Sequence, residues 1–140
     1  MFQTENELVE RFCEYLLEGG YEVFREVAFY GRRIDVLAVY EDTLYAYEAK
    51  LHRWSEALIQ AQRHVISVDY SLVVMPSAIA RRLNQGSFRS QGIGLIGMSH
   101  DGWISLVDPL PSNCLWEPAK AQLQRTVECF REAGTPLCIL

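Results

Sequence analysis

Three observations predict that this chain is a mixed α/β (α+β) domain, a central mixed sheet flanked by helices. The run Arg32–Lys50 reads as two strands joined by a tight turn at Glu41-Asp42, apolar on both faces and therefore central to a sheet covered on both sides. Segments with helical spacing of apolar residues stand before and after it, near residues 4–20 and 55–68. A short apolar run, 70–75, follows the second of these and reads as a buried strand. The resulting order is αβββαβ, followed by a short helix, a hairpin and a C-terminal helix. At 140 residues the chain is expected to be a single domain spanning 1–140, with its core at about 4–75 and peripheral elements over 76–140.

The elements follow in order. Thr4 with Glu7 three residues on is a capping box, and Gly19-Gly20 supplies the stop, so the first helix covers 4–20 with Leu8, Phe12, Tyr15 and Leu16 on one face. Val23, Val27 and Phe29 against Glu22 and Glu26 give a strand over 21–29 that turns at Tyr30-Gly31. After Lys50, Ser55 caps a helix to about Val68. Its buried stripe contains Leu58, Ala61, Val65 and Ile66, and a polar stripe of Gln60, Arg63, His64 and Ser67 reads either as a solvated face or as donors for a phosphate. Pro76 closes the strand 70–75, Ser77 caps a helix over 78–85, and 86–92 reads as a polar loop. Strands 93–99 and 103–107 form a hairpin over His100-Asp101-Gly102. Gly92, Gly94 and Gly97 satisfy G-x-G-x-x-G, but they fall in a strand followed by a hairpin, so close packing explains them better than nucleotide binding. A loop over 109–118 leads to an amphipathic helix over 119–133, stopped by Gly134, and an apolar tail.

The central hairpin carries the chemistry. With a two-residue turn, Val39 faces Leu44, Leu37 faces Ala46 and Asp35 faces Glu48. Asp35, Leu37 and Val39 then share a face with Leu44, Ala46, Glu48 and Lys50, and the other face holds Ile34, Val36, Ala38, Tyr45, Tyr47 and Ala49. Directly opposed Cβ atoms lie about 4.5–5.5 Å apart, and like charges so placed destabilise a sheet. A divalent cation would offset the repulsion, since Mg²⁺ takes carboxylate oxygens and keeps several waters. Lys50 lies about 6.6 Å along the strand from Glu48, where an ammonium can assist an attacking water or stabilise charge on a phosphoryl group. Salt bridges from Asp35 and Glu48 to Arg33 and Lys50, with no catalysis, would also account for these residues.

Composition bounds the rest. The net charge of −5 argues against a protein that coats nucleic acid, yet residues 25–89 carry nine Lys/Arg against seven Asp/Glu, a balance of +2 where the remainder has −7. Basic charge therefore gathers around the proposed site. No apolar run is long enough to span a membrane, the acidic N-terminus lacks a signal-peptide layout, and Cys13, Cys114, Cys129 and Cys138 show no metal-ligand spacing, which together predict a cytoplasmic protein with reduced thiols.

With Asp35 on the second strand and Glu48-x-Lys50 on the third, in αβββαβ order, the chain resembles the PD-(D/E)XK nuclease superfamily, particularly its RecB-like and junction-resolvase-like branch. The resemblance covers roughly 4–75 and implies a restriction-endonuclease-like core. It implies that Asp35 and Glu48 bind Mg²⁺ (or Mn²⁺), that Lys50 positions or activates the attacking water, and that Glu7 on the first helix and Gln60 on the next complete the catalytic set. Ile34 stands where many members have proline, and His64 stands where the branch has tyrosine. Arg33, His52, Arg53, Arg63 and His64 are the side chains expected to contact nucleic acid. The implied activity is metal-dependent hydrolysis of DNA phosphodiester bonds, endo- or exonucleolytic, with RNA left open. The alternative is an inactive nuclease-fold subunit that binds nucleic acid or assembles with other chains. One site per chain, where duplex cutting calls for two, leads to the expectation of a homodimer seamed by the last hairpin and the tail.

Overall fold

The structure, a computed structural model, describes residues 1–133. Six strands form one mixed sheet in the order β1 (Glu22–Phe29), β2 (Arg32–Tyr40), β3 (Thr43–Ala49), β4 (Tyr70–Pro76), β5 (Gly94–Met98) and β6 (Trp103–Val107). The first three strands and the last pair are antiparallel, whereas β3–β4 and β4–β5 are parallel. Parallel neighbours need a crossover. Helix α2 (Trp54–His64) supplies the first, and two short helices, α3 (Ser77–Ala80) and α4 (Gln85–Arg89), supply the second.

Both faces are covered, as the doubly apolar hairpin predicts. Helix α1 (Glu5–Glu18) begins at Thr4, whose Oγ1 accepts from the Glu7 N–H at 3.0 Å, and ends at Gly19. It lays Leu8, Phe12 and Leu16 over Val36, Ala38, Tyr47 and Ala49. The opposite face is shared. Helix α5 (Glu117–Glu132) packs Ala119, Leu123 and Val127 against Leu37, Val39, Leu44 and Ala46, and α2 packs Ala57, Leu58 and Ala61 against Val73 and Met75. Full burial of one such leucine contributes about 1.5–3 kcal/mol. Two ion pairs hold α5 down: Lys120 with Asp69 at 2.9 Å, and Arg131 with Glu22. Among the described residues no helix is long and apolar enough to cross a membrane.

Several boundaries differ from those expected. The segment 86–92 is not all loop, because Asn84 Oδ1 accepts from the Gly86 N–H at 2.9 Å and starts α4, which buries Phe88. Helix α3 stops at Ala80 rather than near Gln85. Helix α2 stops at His64, whose carbonyl takes the N–H groups of both Ser67 and Val68, and Ile66 is left exposed instead of joining the buried stripe. Helix α5 starts at Glu117, since Pro118 is tolerated in a first turn where its missing N–H costs nothing. The glycines of β5 do serve close packing: a Cβ on Gly94 would stand 2.6 Å from the Leu72 side chain. Gly134 and the tail lie outside the described residues.

The β2–β3 register runs as expected from Tyr40↔Thr43 to Val36↔Tyr47, through a turn in which Glu41 and Asp42 both have positive φ, 48° and 66°. There the ladder ends. Beyond it β2 keeps pairing with β1 down to Arg32↔Phe29, and β3 keeps pairing with β4 up to Ala49↔Val74. The two central strands part company at Asp35 and Glu48. Ile34 departs from the expected face at the same point, joining Leu37 and Val39 in the cluster beneath α5. Glu26, the residue between the pairs Arg25↔Val36 and Val27↔Ile34, has φ 52°, and this left-handed residue resets the alternation beside Asp35.

Candidate active site

Where the ladder ends, side chains take over its hydrogen bonds. The Asp35 N–H donates to Glu48 Oε2 at 3.2 Å, and the Ala49 N–H donates to Asp35 Oδ2 at 3.0 Å. Each carboxylate thus caps the backbone of the opposite strand, which brings both acids to one cavity of about 500 Å³. Glu48 is 2% exposed and holds a second bond, 2.8 Å from His64 Nε2, itself 4% exposed. Burial pushes the Asp35 carboxyl up to about 6, and the Glu48 charge adds to the rise, while the Ala49 N–H and Lys50 oppose it. The pair is held close at an electrostatic cost.

The cavity mixes five cationic side chains, Arg25, Arg32, Arg33, Lys50 and Arg63, with the carboxylates of Glu5, Glu26, Asp35 and Glu48. Lys50 Nζ lies 3.2 Å from the half-exposed Glu56. Arg25 donates to Asn6 Oδ1 at 2.7 Å, and Arg33 makes an exposed 3.8 Å pair with Glu26 that contributes little. The side chains of Arg32 and Arg63 make no ion pair or hydrogen bond among the described residues. Gln60 also lines the cavity, and its Oε1 is buried without a hydrogen-bond partner among the described residues. An acceptor so placed costs about 1–3 kcal/mol unless something donates to it.

Of the residues singled out by sequence, the structure brings together Asp35, Glu48, Lys50, Gln60, Arg33, Arg63 and His64. Glu7, His52 and Arg53 are not in the cavity. Glu5 and Val9 line it from α1, being one helical turn apart, and Glu7 between them points away, its Oε1 3.9 Å from His100. His52 and Arg53 sit exposed in the bend after β3, where Arg53 reaches Glu56 at 3.6 Å. His64 reaches the site by a different part than expected: with Ser67 it is the buried portion of a polar stripe whose Arg63 is exposed, and its ring nitrogen is spent on Glu48. Arg25, Arg32 and Asn6 were not singled out. Arg25 could have been, since the β1–β2 turn at Tyr30-Gly31 fixes it beside the position opposite Asp35.

Among the described residues no group of three or more His, Cys, Asp or Glu side chains is disposed to hold a metal ion. The donors present fit a narrower case. A buried and a half-buried carboxylate with unused lone pairs, mutually repelling, and an amide oxygen without a partner among the described residues suit a hard cation that retains several waters rather than a closed all-protein cage.

The same arrangement of chain occurs elsewhere. A protein of unknown function from Silicibacter pomeroyi superposes with a TM-score of 0.71 at 15% identity, covering 94% of this chain and 89% of that one. The fold is shared. A repair endonuclease from Pyrococcus abyssi gives a TM-score of 0.49 at 16% identity, over 71% of this chain and 49% of that one. No family model and no curated protein sequence matches the chain.

Proposed function

We propose that the chain is a metal-dependent nuclease of the PD-(D/E)XK type that hydrolyses DNA phosphodiester bonds. The observation carrying this reading is the crossed pair at the parted strands: half-buried Asp35 and buried Glu48, each bonded to the other's strand and facing an arginine-rich cavity beside Lys50. A structural salt-bridge cluster would have joined these acids to Arg33 and Lys50. Instead Arg33 meets Glu26 and Lys50 meets Glu56, while the acids are held by backbone N–H groups and, for Glu48, by His64.

Asp35 and Glu48 would hold Mg²⁺ or Mn²⁺, which when bound supplies Lewis acidity toward the phosphoryl group and lowers the pKa of water. His64 fixes the Glu48 carboxylate in one rotamer, and the backbone N–H of Ala49 does the same for Asp35. Lys50, oriented by Glu56, presents its ammonium for hydrogen bonding to an attacking water or to a non-bridging oxygen, where it counters charge that grows in the transition state. Arg32 and Arg63 offer unengaged guanidinium groups to the flanking phosphates, and Gln60 accepts a hydrogen bond from what is bound.

Incubation of the protein with single-stranded, duplex and branched DNA in Mn²⁺, Mg²⁺ and EDTA tests the reading. Cleavage that needs the cation and is lost in Glu48→Gln supports it. Binding without cleavage under every condition returns the chain to the alternative of an inactive, nucleic-acid-binding member of the fold. Cutting both strands of a duplex calls for two sites, and a homodimer through the exposed Trp103 and Ile104 of the edge strand β6 would supply the second. Light scattering that gives one chain per particle at micromolar concentration, with and without duplex, would remove that pairing.

A further inference from the structure

The β1–β2 turn holds a residue that the fold does not ask for. Tyr30 and Gly31 both have positive φ, 50° and 72°, the two-residue hairpin turn in which asparagine, aspartate or glycine is favoured first. A bulky aromatic in the left-handed region is strained. The ring is not placed there to fill the core either: Tyr30 is 59% exposed, and among the described residues the one ring against it is the neighbouring Phe29, centroids 4.3 Å apart at 40°. Tyr30 also walls a shallow recess with the exposed Ile66, and that recess shares Arg32, Arg63 and His64 with the carboxylate cavity. The two arginines that line both recess and cavity make no ion pair or hydrogen bond among the described residues.

We propose that Tyr30 is a stacking platform for an unpaired base, with Arg32 and Arg63 holding the adjoining phosphates, so that the strand entering the cavity is single-stranded DNA. The extension from recess to cavity rests on the nuclease reading; the stacking does not. Bases in a duplex are already stacked on one another and present edges to a protein, so an exposed ring beside backbone-reading arginines gains most from a base that is free of the helix. Flexible single strands can also set one base on the ring while the next phosphate reaches the arginines. Stacking of this kind tolerates any sequence, because every base has a face.

The test is fluorescence anisotropy in Ca²⁺ buffer with a labelled oligothymidylate and a labelled hairpin duplex, for the native chain and for Tyr30→Asn, Tyr30→Leu and Tyr30→Phe. Asparagine suits the turn better than tyrosine, so Tyr30→Asn should melt at the native temperature or above it. It should nevertheless bind the single strand about tenfold more weakly, as should Tyr30→Leu, while Tyr30→Phe stays near native. Hairpin binding should be unchanged throughout. A 2-aminopurine in the oligonucleotide should be quenched by the native chain and not by Tyr30→Asn. Native-like single-strand affinity in Tyr30→Asn, equal losses for both substrates, or no measurable single-strand binding by the native chain each overturn the proposal. Mn²⁺-dependent cleavage by the native chain separates the two readings. Cleavage with an indifferent Tyr30→Asn sinks the platform alone, and selective binding without cleavage sinks the nuclease alone.

Discussion

At its closed end the β2–β3 hairpin keeps a complete ladder from Tyr40↔Thr43 to Val36↔Tyr47, and apolar side chains cover it on both faces. At its open end, one residue further, the strands separate and two carboxylates accept the N–H groups that the ladder would have used. The same two strands serve both ends. The difference teaches that backbone donors must be satisfied but not by backbone. Where carbonyls satisfy them the sheet is inert and continuous, and where acids satisfy them it opens into a crevice lined with charge.

The largest effect should come from attacking the open end's chemistry. Glu48→Gln and Lys50→Ala should each lower single-turnover cleavage in Mn²⁺ by about 10²–10⁴-fold. Lys50→Ala should keep the rise in melting temperature that Mn²⁺ gives, while Glu48→Gln should lose it. Equal behaviour of the two variants toward Mn²⁺ would erase the division of labour between acid and lysine.

Stability should separate the two ends next. Leu37→Ala at the closed end removes a fully buried side chain and should cost about 2–5 kcal/mol in urea denaturation, with no dependence on metal. Asp35→Ala at the open end leaves the Ala49 N–H without its acceptor and should cost about 1–3 kcal/mol. Asp35→Asn keeps an oxygen for that N–H and removes the repulsion, so in EDTA it should be as stable as the native chain or more so. If asparagine and alanine destabilise alike, the charge rather than the hydrogen bond holds the crevice together.

The smallest effect should appear on titration. Asp35 titrates near 6, above its ordinary value of 3.8, so the folded chain holds the proton more tightly than the unfolded one. Its contribution favours the fold fully below pH 4 and is lost as pH rises through 6. A cation must displace that proton, so Mn²⁺ affinity by calorimetry should be roughly tenfold weaker at pH 5 than at pH 7. Affinity that is flat across this range would mean that Asp35 is not a ligand.

The sheet core and the meeting of Asp35 with Glu48 were legible because strand period and turn length fix register locally. What escaped depends on the helices. Helix α2 is a crossover lying on the sheet, so a polar side chain on its inner face meets the strand below it, and His64 finds Glu48 although the two are distant in sequence. Nothing in the stripe Gln60-His64-Ser67 distinguishes that from solvation except the crossover itself. The resemblance put Glu7 in the site, but the capping signal, which the structure keeps, says where the helix starts and not how it is rotated on the sheet. Ile34 changed face because Glu26, across the ladder, took a left-handed conformation that no residue preference announces.

The crossed hydrogen bonds bear on how this protein's relatives are to be compared. Under selection for folding alone, an oxygen acceptor at 35 and at 48, acid or amide, would still be retained, since the backbone of each strand depends on the other's side chain. Lys50 has no such second employment: among the described residues its ammonium pairs with a half-exposed glutamate and holds no backbone group. Drift would reach the lysine first. Across descendants of one ancestral sheet, the paired oxygen acceptors would therefore record kinship, and on the proposed reading the charge on them and the lysine two places on would record whether the chemistry is kept.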